Sequence, residues 1–170
     1  GAFFAFFCAF AFFYSRPLKR LIYPLILGFN VVPKIVLVPI IVIWFGFGLF
    51  PKIIVTAMIS FFPILINTYT GLNNVDSKLI WLMDSMAATE RQKILHVRIP
   101  SAAPYIFVGL KISSLLSVTG AVVAEFVGSN LGLGYLLMVS SVRLNTALMF
   151  GVVIIISLIG VMFSLLVQYA

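Results

Sequence analysis

Runs without a charged residue dominate the chain, at 1–15, 21–33, 35–51, 53–75 and 144–170, with a further apolar stretch around 121–124. A helix crosses a hydrocarbon core about 30 Å thick with about 20 apolar residues. Five membrane spans are predicted on that basis, at roughly 1–14, 31–50, 52–71, 101–127 and 146–170. The run ahead of Arg16 is 15 residues long, and no initiator Met or signal-peptide pattern opens it. The last span ends at Gln168-Tyr169-Ala170 without flanking basic residues, so the sequence reads as a fragment trimmed at both ends.

Prolines and charges punctuate the runs. Pro17, Pro24, Pro33 and Pro39 argue against one straight helix from Leu21 to Phe47, since each interior proline removes an amide bond and crowds the preceding turn. Arg16-Pro17-Leu18-Lys19-Arg20 is expected to open an interfacial connector, with Pro33 as the first-turn proline of the next span. The loops after the first and third spans carry Arg16, Lys19, Arg20, Lys78, Arg91, Lys93 and Arg98, whereas those after the second and fourth carry Lys52 and Arg143. The positive-inside rule then places 15–30 and 72–100 in the cytoplasm.

Residues 72–100 form the one extended hydrophilic stretch. Asn74, Asp76 or Ser77 can cap a short helix whose Leu79, Ile80, Leu82, Met83 and Met86 group mainly on one face. Thr89-Glu90-Arg91-Gln92 has the form of a capping box ahead of Ile94, Leu95 and Val97. Two short helices meeting near Ala87 and Ala88 would make a compact knob, able to lie on a membrane or to dock in a partner's groove.

Composition fixes the class. Of 170 residues, 63% are hydrophobic and 9% charged, far below the roughly 25% charged of soluble domains. The formal net charge of +7 comes from basic residues in short loops, so membrane topology explains it and nucleic-acid binding does not. One Cys and one His supply no disulfide framework, zinc cluster or nucleophilic triad, and no cofactor is expected. Few groups are left for chemistry. Glu125 sits in an otherwise apolar run, either as a cap or helix-to-loop tie or as a substrate or ion contact. Asn67 either lines a polar pathway or joins neighbouring helices. Lys34 and Lys111 either snorkel or line the pathway. The glycine-rich stretch from Gly128 to Gly134 lacks the preceding strand and the Lys-Ser/Thr pair of a nucleotide loop, and it is expected to form a tight turn or re-entrant segment. Gly109, Gly120, Gly151 and Gly160 are expected at close helix contacts.

Several of these segments resemble a known family. Pro33-Lys34 through Trp44-Phe45-Gly46-Phe47-Gly48, Phe61-Phe62-Pro63-Ile64-Leu65-Ile66-Asn67-Thr68, Val75-Asp76, Ala88-Thr89-Glu90-Arg91-Gln92, His96-Val97-Arg98-Ile99-Pro100, Gly109-Leu110-Lys111, and Val123-Ala124-Glu125-Phe126 to Gly132-Leu133-Gly134-Tyr135 look like the membrane subunits of bacterial ABC importers of the nitrate/sulfonate/taurine group. The resemblance implies an all-α membrane protein with a MetI-like, type I importer permease core, here a single transmembrane domain over 1–170 with its coupling element at 72–100. The family signature runs Glu-Ala-Ala, three residues, Gly, nine residues, Ile-x-Leu-Pro. Its end survives as Val97-Arg98-Ile99-Pro100, but Trp81-Leu82-Met83 stands at Glu-Ala-Ala and Ala87 at the glycine, where a left-handed turn suits alanine poorly.

The resemblance further implies that Ala87, Ala88, Thr89, Glu90, Arg91, Gln92 and Pro100 couple to a cytoplasmic ATP-binding subunit, which hydrolyses ATP while this chain catalyses nothing. It implies a second permease copy, a periplasmic or lipid-anchored solute-binding protein, and residence in the bacterial cytoplasmic membrane. Asn67, Glu125 and Lys34 are the pathway candidates. The wording around Glu125 resembles permeases for thiamine pyrimidine precursors or riboflavin more than those for taurine or alkanesulfonates, with a sulfonate or nitrate as the other candidate solutes. An ATP-independent secondary transporter or channel and a non-transporting scaffold are the rival readings; the former more often carries several intramembrane ionisable groups and repeated halves.

Overall fold

A computed structural model describes residues 1–169, apart from the side chains of Arg16, Leu27 and Tyr169; the predicted end of the fifth span at Ala170 lies outside the described residues. Among the described residues the chain is helical without strands. The helices are α1 (Ala2–Tyr14), α2 (Arg16–Val31), α3 (Lys34–Phe45), α4 (Leu49–Asn73), α5 (Ser77–Ser85), α6 (Glu90–Lys93), α7 (Ile99–Gly128), α8 (Leu133–Val142) and α9 (Thr146–Tyr169). A π-helical turn over Ile94–Arg98 joins α6 to α7. Pro100 explains that turn, because it has no amide to donate to the His96 carbonyl and its ring crowds that oxygen, which a widened turn relieves.

Three helices are long and apolar enough to cross a membrane: α4, the 39-residue run from Glu90 to Gly128, and α9. A fourth crossing arises if α2 and α3, bent by 95° at their junction, count as one broken span. The break falls where Val32 is held extended ahead of Pro33, as a residue before proline prefers. The predicted span 31–50 therefore yields a helix of 12 residues, stopped at Gly46, whose φ of 74° an alanine would resist. Helix α1 is likewise 13 residues, shorter than a full crossing. The glycine-rich stretch turns as expected, but it leads into α8, a 10-residue helix that its sequence did not announce.

The centre of the bundle is an antiparallel seam between α4 and α7, built on small residues. A Cβ on Gly71 would lie 3.0 Å from Ala102 Cα, one on Gly109 3.0 Å from the Pro63 carbonyl oxygen, and one on Gly120 3.0 Å from Thr56 Cα. Between lipid-solvated helices the gain comes from such close backbone approach and not from expelling water. Ser113 Oγ adds a bond of 2.9 Å to the Ser60 carbonyl oxygen across the same seam. Gly151 and Gly160 do not follow the expectation, since nothing among the described residues lies within 4 Å of a Cβ at either. Both sit on α9, which packs at the rim and leaves Ile154, Leu158 and Val161 exposed.

Two apolar clusters flank the seam. Ala5, Ala9 and Phe12 of α1 pack on Ile64 and Leu65 of α4, while Val38 and Ile41 of α3 pack on Val55 and Ala124. The remaining exterior is apolar, with Phe3 at 94% and Ile43 at 80% exposure. Only a hydrocarbon solvent accommodates such a surface at this scale.

Candidate functional site

The knob between α4 and α7 is assembled from local signals. Asp76 caps α5, its Oδ1 accepting from the Lys78 amide at 2.9 Å. The helix ends in a Schellman motif, in which the Ala88 amide donates to the Met83 carbonyl and the Ala87 amide to the Asp84 carbonyl, each at 3.0 Å. That motif forces Ala87 to a φ of 54°, the left-handed conformation that glycine adopts freely and alanine resists. Helix α6 starts at once with a complete capping box: the Gln92 amide donates to Thr89 Oγ1 at 3.4 Å, and the Thr89 amide to Gln92 Oε1 at 2.8 Å. Lys93 then bridges the two short helices, pairing with Asp84 of α5 and, at 2.6 Å, with Glu90 of α6.

The knob is thus cross-tied while its faces stay open. Helix α5 buries none of its residues, and Trp81, Leu82 and Met86 are 69%, 57% and 71% exposed. Ala87, Thr89, Glu90, Arg91 and Gln92 are exposed beside them, Ala88 is half-buried, and Pro100 is exposed at the foot. All the predicted coupling residues except Pro100 lie within this one turn-and-helix unit.

The three pathway candidates are not brought together. Asn67 donates from Nδ2 to the Pro63 carbonyl at 2.8 Å, and its Cβ faces Gly109 across the seam. Lys34 donates to Oδ1 and the carbonyl of Asn30, at 2.8 and 3.0 Å, and lies over the Phe62 ring. Glu125 is at the far end of the seam from the knob, and both of its oxygens are engaged. Lys52 Nζ of α4 donates to Oε1 at 3.1 Å, and the Gly134 amide, in the first turn of α8, donates to Oε2 at 3.1 Å. A carboxylate at that helix start also meets the positive end of the helix dipole. Gly132 has a φ of 114°, and a Cβ there would overlap the Glu125 carboxylate. Lys111, meanwhile, donates to Gln168 Oε1 at 2.7 Å.

The near end of the seam is tied as well. Arg98 donates from Nη1 to the Leu72 carbonyl at 3.0 Å, close to the α4 C-terminus, where a cation is favoured, and Asn74 bonds the Tyr105 hydroxyl. Sequence reasoning used Lys52 for topology and Arg98 for topology and the family wording, and missed both ties. A signal existed for Lys52, since one cation and one carboxylate stood isolated at the matching ends of two successive apolar spans. Among the described residues no three His, Cys, Asp or Glu side chains cluster to hold a metal ion.

Comparison with known proteins agrees with this architecture. Residues 1–170 match the family described as binding-protein-dependent transport system inner membrane component. The chain is 37% identical over 150 residues to the formylaminopyrimidine transport permease protein ThiX of Halalkalibacterium halodurans, covering 88% of this chain and 60% of that protein. It is 36% identical over 135 residues to the riboflavin transport system permease protein RibX of Chloroflexus aurantiacus, covering 79% and 50%. A Bacillus subtilis permease named for aliphatic sulfonates transport is 33% identical over 147 residues, covering 86% and 53%. The chain spans from half to three-fifths of the length of these relatives. With residues 1–170 matched to this family and a helical knob set between two membrane-length helices, this chain belongs to the MetI-like ABC permeases, the inner membrane components of binding-protein-dependent transport systems.

Proposed function

We propose that this chain is the membrane-crossing subunit of an ATP-driven importer, a single permease domain whose segment 72–100 docks on a cytoplasmic ATP-binding subunit. The observation that carries the reading is the cross-tied knob of α5 and α6 inserted between two membrane helices of a chain matched to this family throughout. Exposed Trp81, Leu82 and Met86 offer an apolar ridge suited to a partner's groove, and Ala87 to Gln92 form its polar shoulder. The capping box, the Schellman turn and the Lys93 bridge leave the unit little slack, so a push on the knob reaches α7 through a continuous helix. ATP hydrolysis then belongs to the partner, and this chain converts the partner's closure into alternating access, a two-state change biased by nucleotide and loaded binding protein.

The cations Arg16, Lys19, Arg20, Lys78, Arg91, Lys93 and Arg98 set the orientation, with 15–30 and 72–100 facing the cytoplasm of a bacterial inner membrane. A second permease copy, most simply an identical one, completes the path, and a solute-binding protein delivers the substrate on the opposite side. Glu125 serves as the tie that fixes α8 and the glycine turn to α4, its two oxygens being taken up by Lys52 and Gly134. Asn67 and Lys34 remain the side chains proposed to border the pathway. The substrate is a small solute, with a pyrimidine precursor or riboflavin-like compound supported by the relatives at 37% and 36% identity and a sulfonate or nitrate as the alternatives.

A pull-down of the full-length protein tests the assignment, run with and without replacement of 76–98 by a neutral linker. An ATP-binding subunit should be recovered with the intact protein and lost with the replacement. Equal recovery in both forms would move the docking site elsewhere, and recovery in neither would favour a secondary transporter or scaffold.

A further inference from the structure

Beside the near end of the seam lies a cavity of about 680 Å³ between α1, α2, α4 and the π-turn, and three cations line it: Lys19, Arg20 and Arg98. Tyr23, Tyr69 and Asn73 supply its other polar groups. Lys19 Nζ lies 4.5 Å from the Tyr69 ring centre and 5.6 Å from that of Tyr23, and the Arg98 guanidinium carbon lies 4.8 Å from the centre of Phe13. Ring faces hold the cations in place without neutralising them. No carboxylate does so either, since all four acids of the chain are committed elsewhere. Asp76 caps α5, Asp84 and Glu90 hold Lys93, and Glu125 holds Lys52. Among the described residues Lys19, Arg20 and Arg98 form no ion pair, and Arg98 spends one donor of its five on the Leu72 carbonyl. Three positive charges with no carboxylate partner among the described residues, around one cavity at the edge of a low-dielectric slab, repel one another, and a multivalent oxyanion is the complement they call for.

The neighbouring cavity says what that oxyanion is attached to. One helical turn after Tyr23, about 4.5 Å along α2, Ile26 lines a second cavity of about 500 Å³, walled by Phe29, Phe61 and Phe62. Its one charged side chain, Lys34, has its ammonium on the Asn30 oxygens. A cationic cup with hydroxyls, followed along the same helix by an apolar trough, matches a phosphate headgroup followed by acyl chain. We infer that Lys19, Arg20 and Arg98 form a binding site for the phosphate of an anionic phospholipid, with its acyl chain along Ile26 and Phe29. The leaflet rests on the orientation proposed above; the chemistry of the site does not.

The test is native mass spectrometry of the full-length protein, delipidated in detergent and titrated with phosphatidylglycerol, phosphatidylcholine, glycerophosphoglycerol or inorganic phosphate. Phosphatidylglycerol should be retained in preference to phosphatidylcholine. The double variant Lys19→Gln, Arg20→Gln should bind phosphatidylglycerol about 30-fold more weakly, about fivefold for each cation removed, with an unchanged melting midpoint. Arg98 is spared because it ties α4. Equal retention of the two lipids would overturn the inference, and so would wild-type retention by the double variant. Displacement of phosphatidylglycerol by equimolar inorganic phosphate or glycerophosphoglycerol would convert the cup into a free-phosphate site and remove the lipid. The pull-down reads recovery of an ATP-binding subunit, and the lipid titration turns on Lys19 and Arg20, which lie outside 76–98, so either result can fail without the other.

Discussion

Alanine at the seam glycines should reverse the usual sign of a Gly→Ala change in a helix. In an open helical position the exchange stabilises by about 0.5–1 kcal/mol, because glycine loses more backbone freedom on folding. At Gly109 and Gly120 the new methyl carbon would sit 3.0 Å from the Pro63 carbonyl oxygen and from Thr56 Cα, against an ordinary contact of 3.4–4 Å. Both obstacles are backbone, so the helices themselves must part. Overpacking of that kind costs about 1–3 kcal/mol, which leaves a net loss of about 1 kcal/mol at each position. The two sites are three helical turns apart, about 16 Å, so the double variant should lose about 2 kcal/mol. Thermal unfolding of the full-length protein in detergent, followed by size-exclusion chromatography, should show midpoints about 2–4 °C lower for each single variant. Gly28→Ala and Gly151→Ala, where nothing among the described residues lies within 4 Å, serve as controls and should melt at or slightly above wild type. Seam variants that melt at or above wild type would refute the close-approach account.

Three further outcomes follow from individual contacts. Glu125→Gln should cost about 2 kcal/mol in the same assay by leaving Lys52 without its counter-ion, and the added loss on combining it with Lys52→Met should be smaller than that of Lys52→Met alone; strict additivity would mean that the pair contributes nothing. Ala87→Gly should relieve about 1 kcal/mol of left-handed strain, seen as slower hydrogen exchange at the Ala87 and Ala88 amides, whereas Ala87→Val should speed it; equal rates in all three would show the turn to be unstrained. Thr89→Ala removes one half of the capping box and should cost about 1 kcal/mol locally, read as faster exchange over 90–93 with an unchanged global melting midpoint.

What was legible in the sequence is what short-range chemistry writes. Thr89 and Gln92 are three residues apart and satisfy each other's amides, so the start of α6 followed from the residues alone. Pro33 broke the element where expected, because the restriction it imposes acts on its immediate neighbour, but it stands as the extended cap ahead of Lys34 and not in the first turn as predicted. The ties that close the bundle left no short-range trace, and the isolated Lys52 and Glu125 were a signal only at the level of matching span ends. Lys52 and Glu125 are 73 residues apart, and Arg98 and Leu72 are 26 apart, so each pairing depends on the register of two helices. Helix α8 was hidden for another reason: its 10 residues carry no cap residue of their own, and the group that satisfies its first turn is Glu125 of another helix. Gly151 and Gly160 sit in apolar runs like the seam glycines, but among the described residues no helix lies opposite them.

The helix that begins at Glu90 and ends at Gly128 is 39 residues long, and at 1.5 Å per residue it is a rod of about 58 Å. Tilting such a rod by about 10° around its midpoint sweeps each tip through about 5 Å. Its polar ties to α4 at Arg98 and Glu125 are bonds of 3.0 and 3.1 Å, and the glycines between them leave no room to slide. Rod and α4 are therefore tied as one plank, and in the proposed alternating access a displacement of the knob carries Glu125 with it. In that motion bending is taken up ahead of α4, at Gly46 and Gly48, two glycines held at positive φ, while Gly132 stays clamped against the Glu125 carboxylate. Gly46 and Gly48 are the positions to stiffen in order to test that proposed motion without touching either end of the rod.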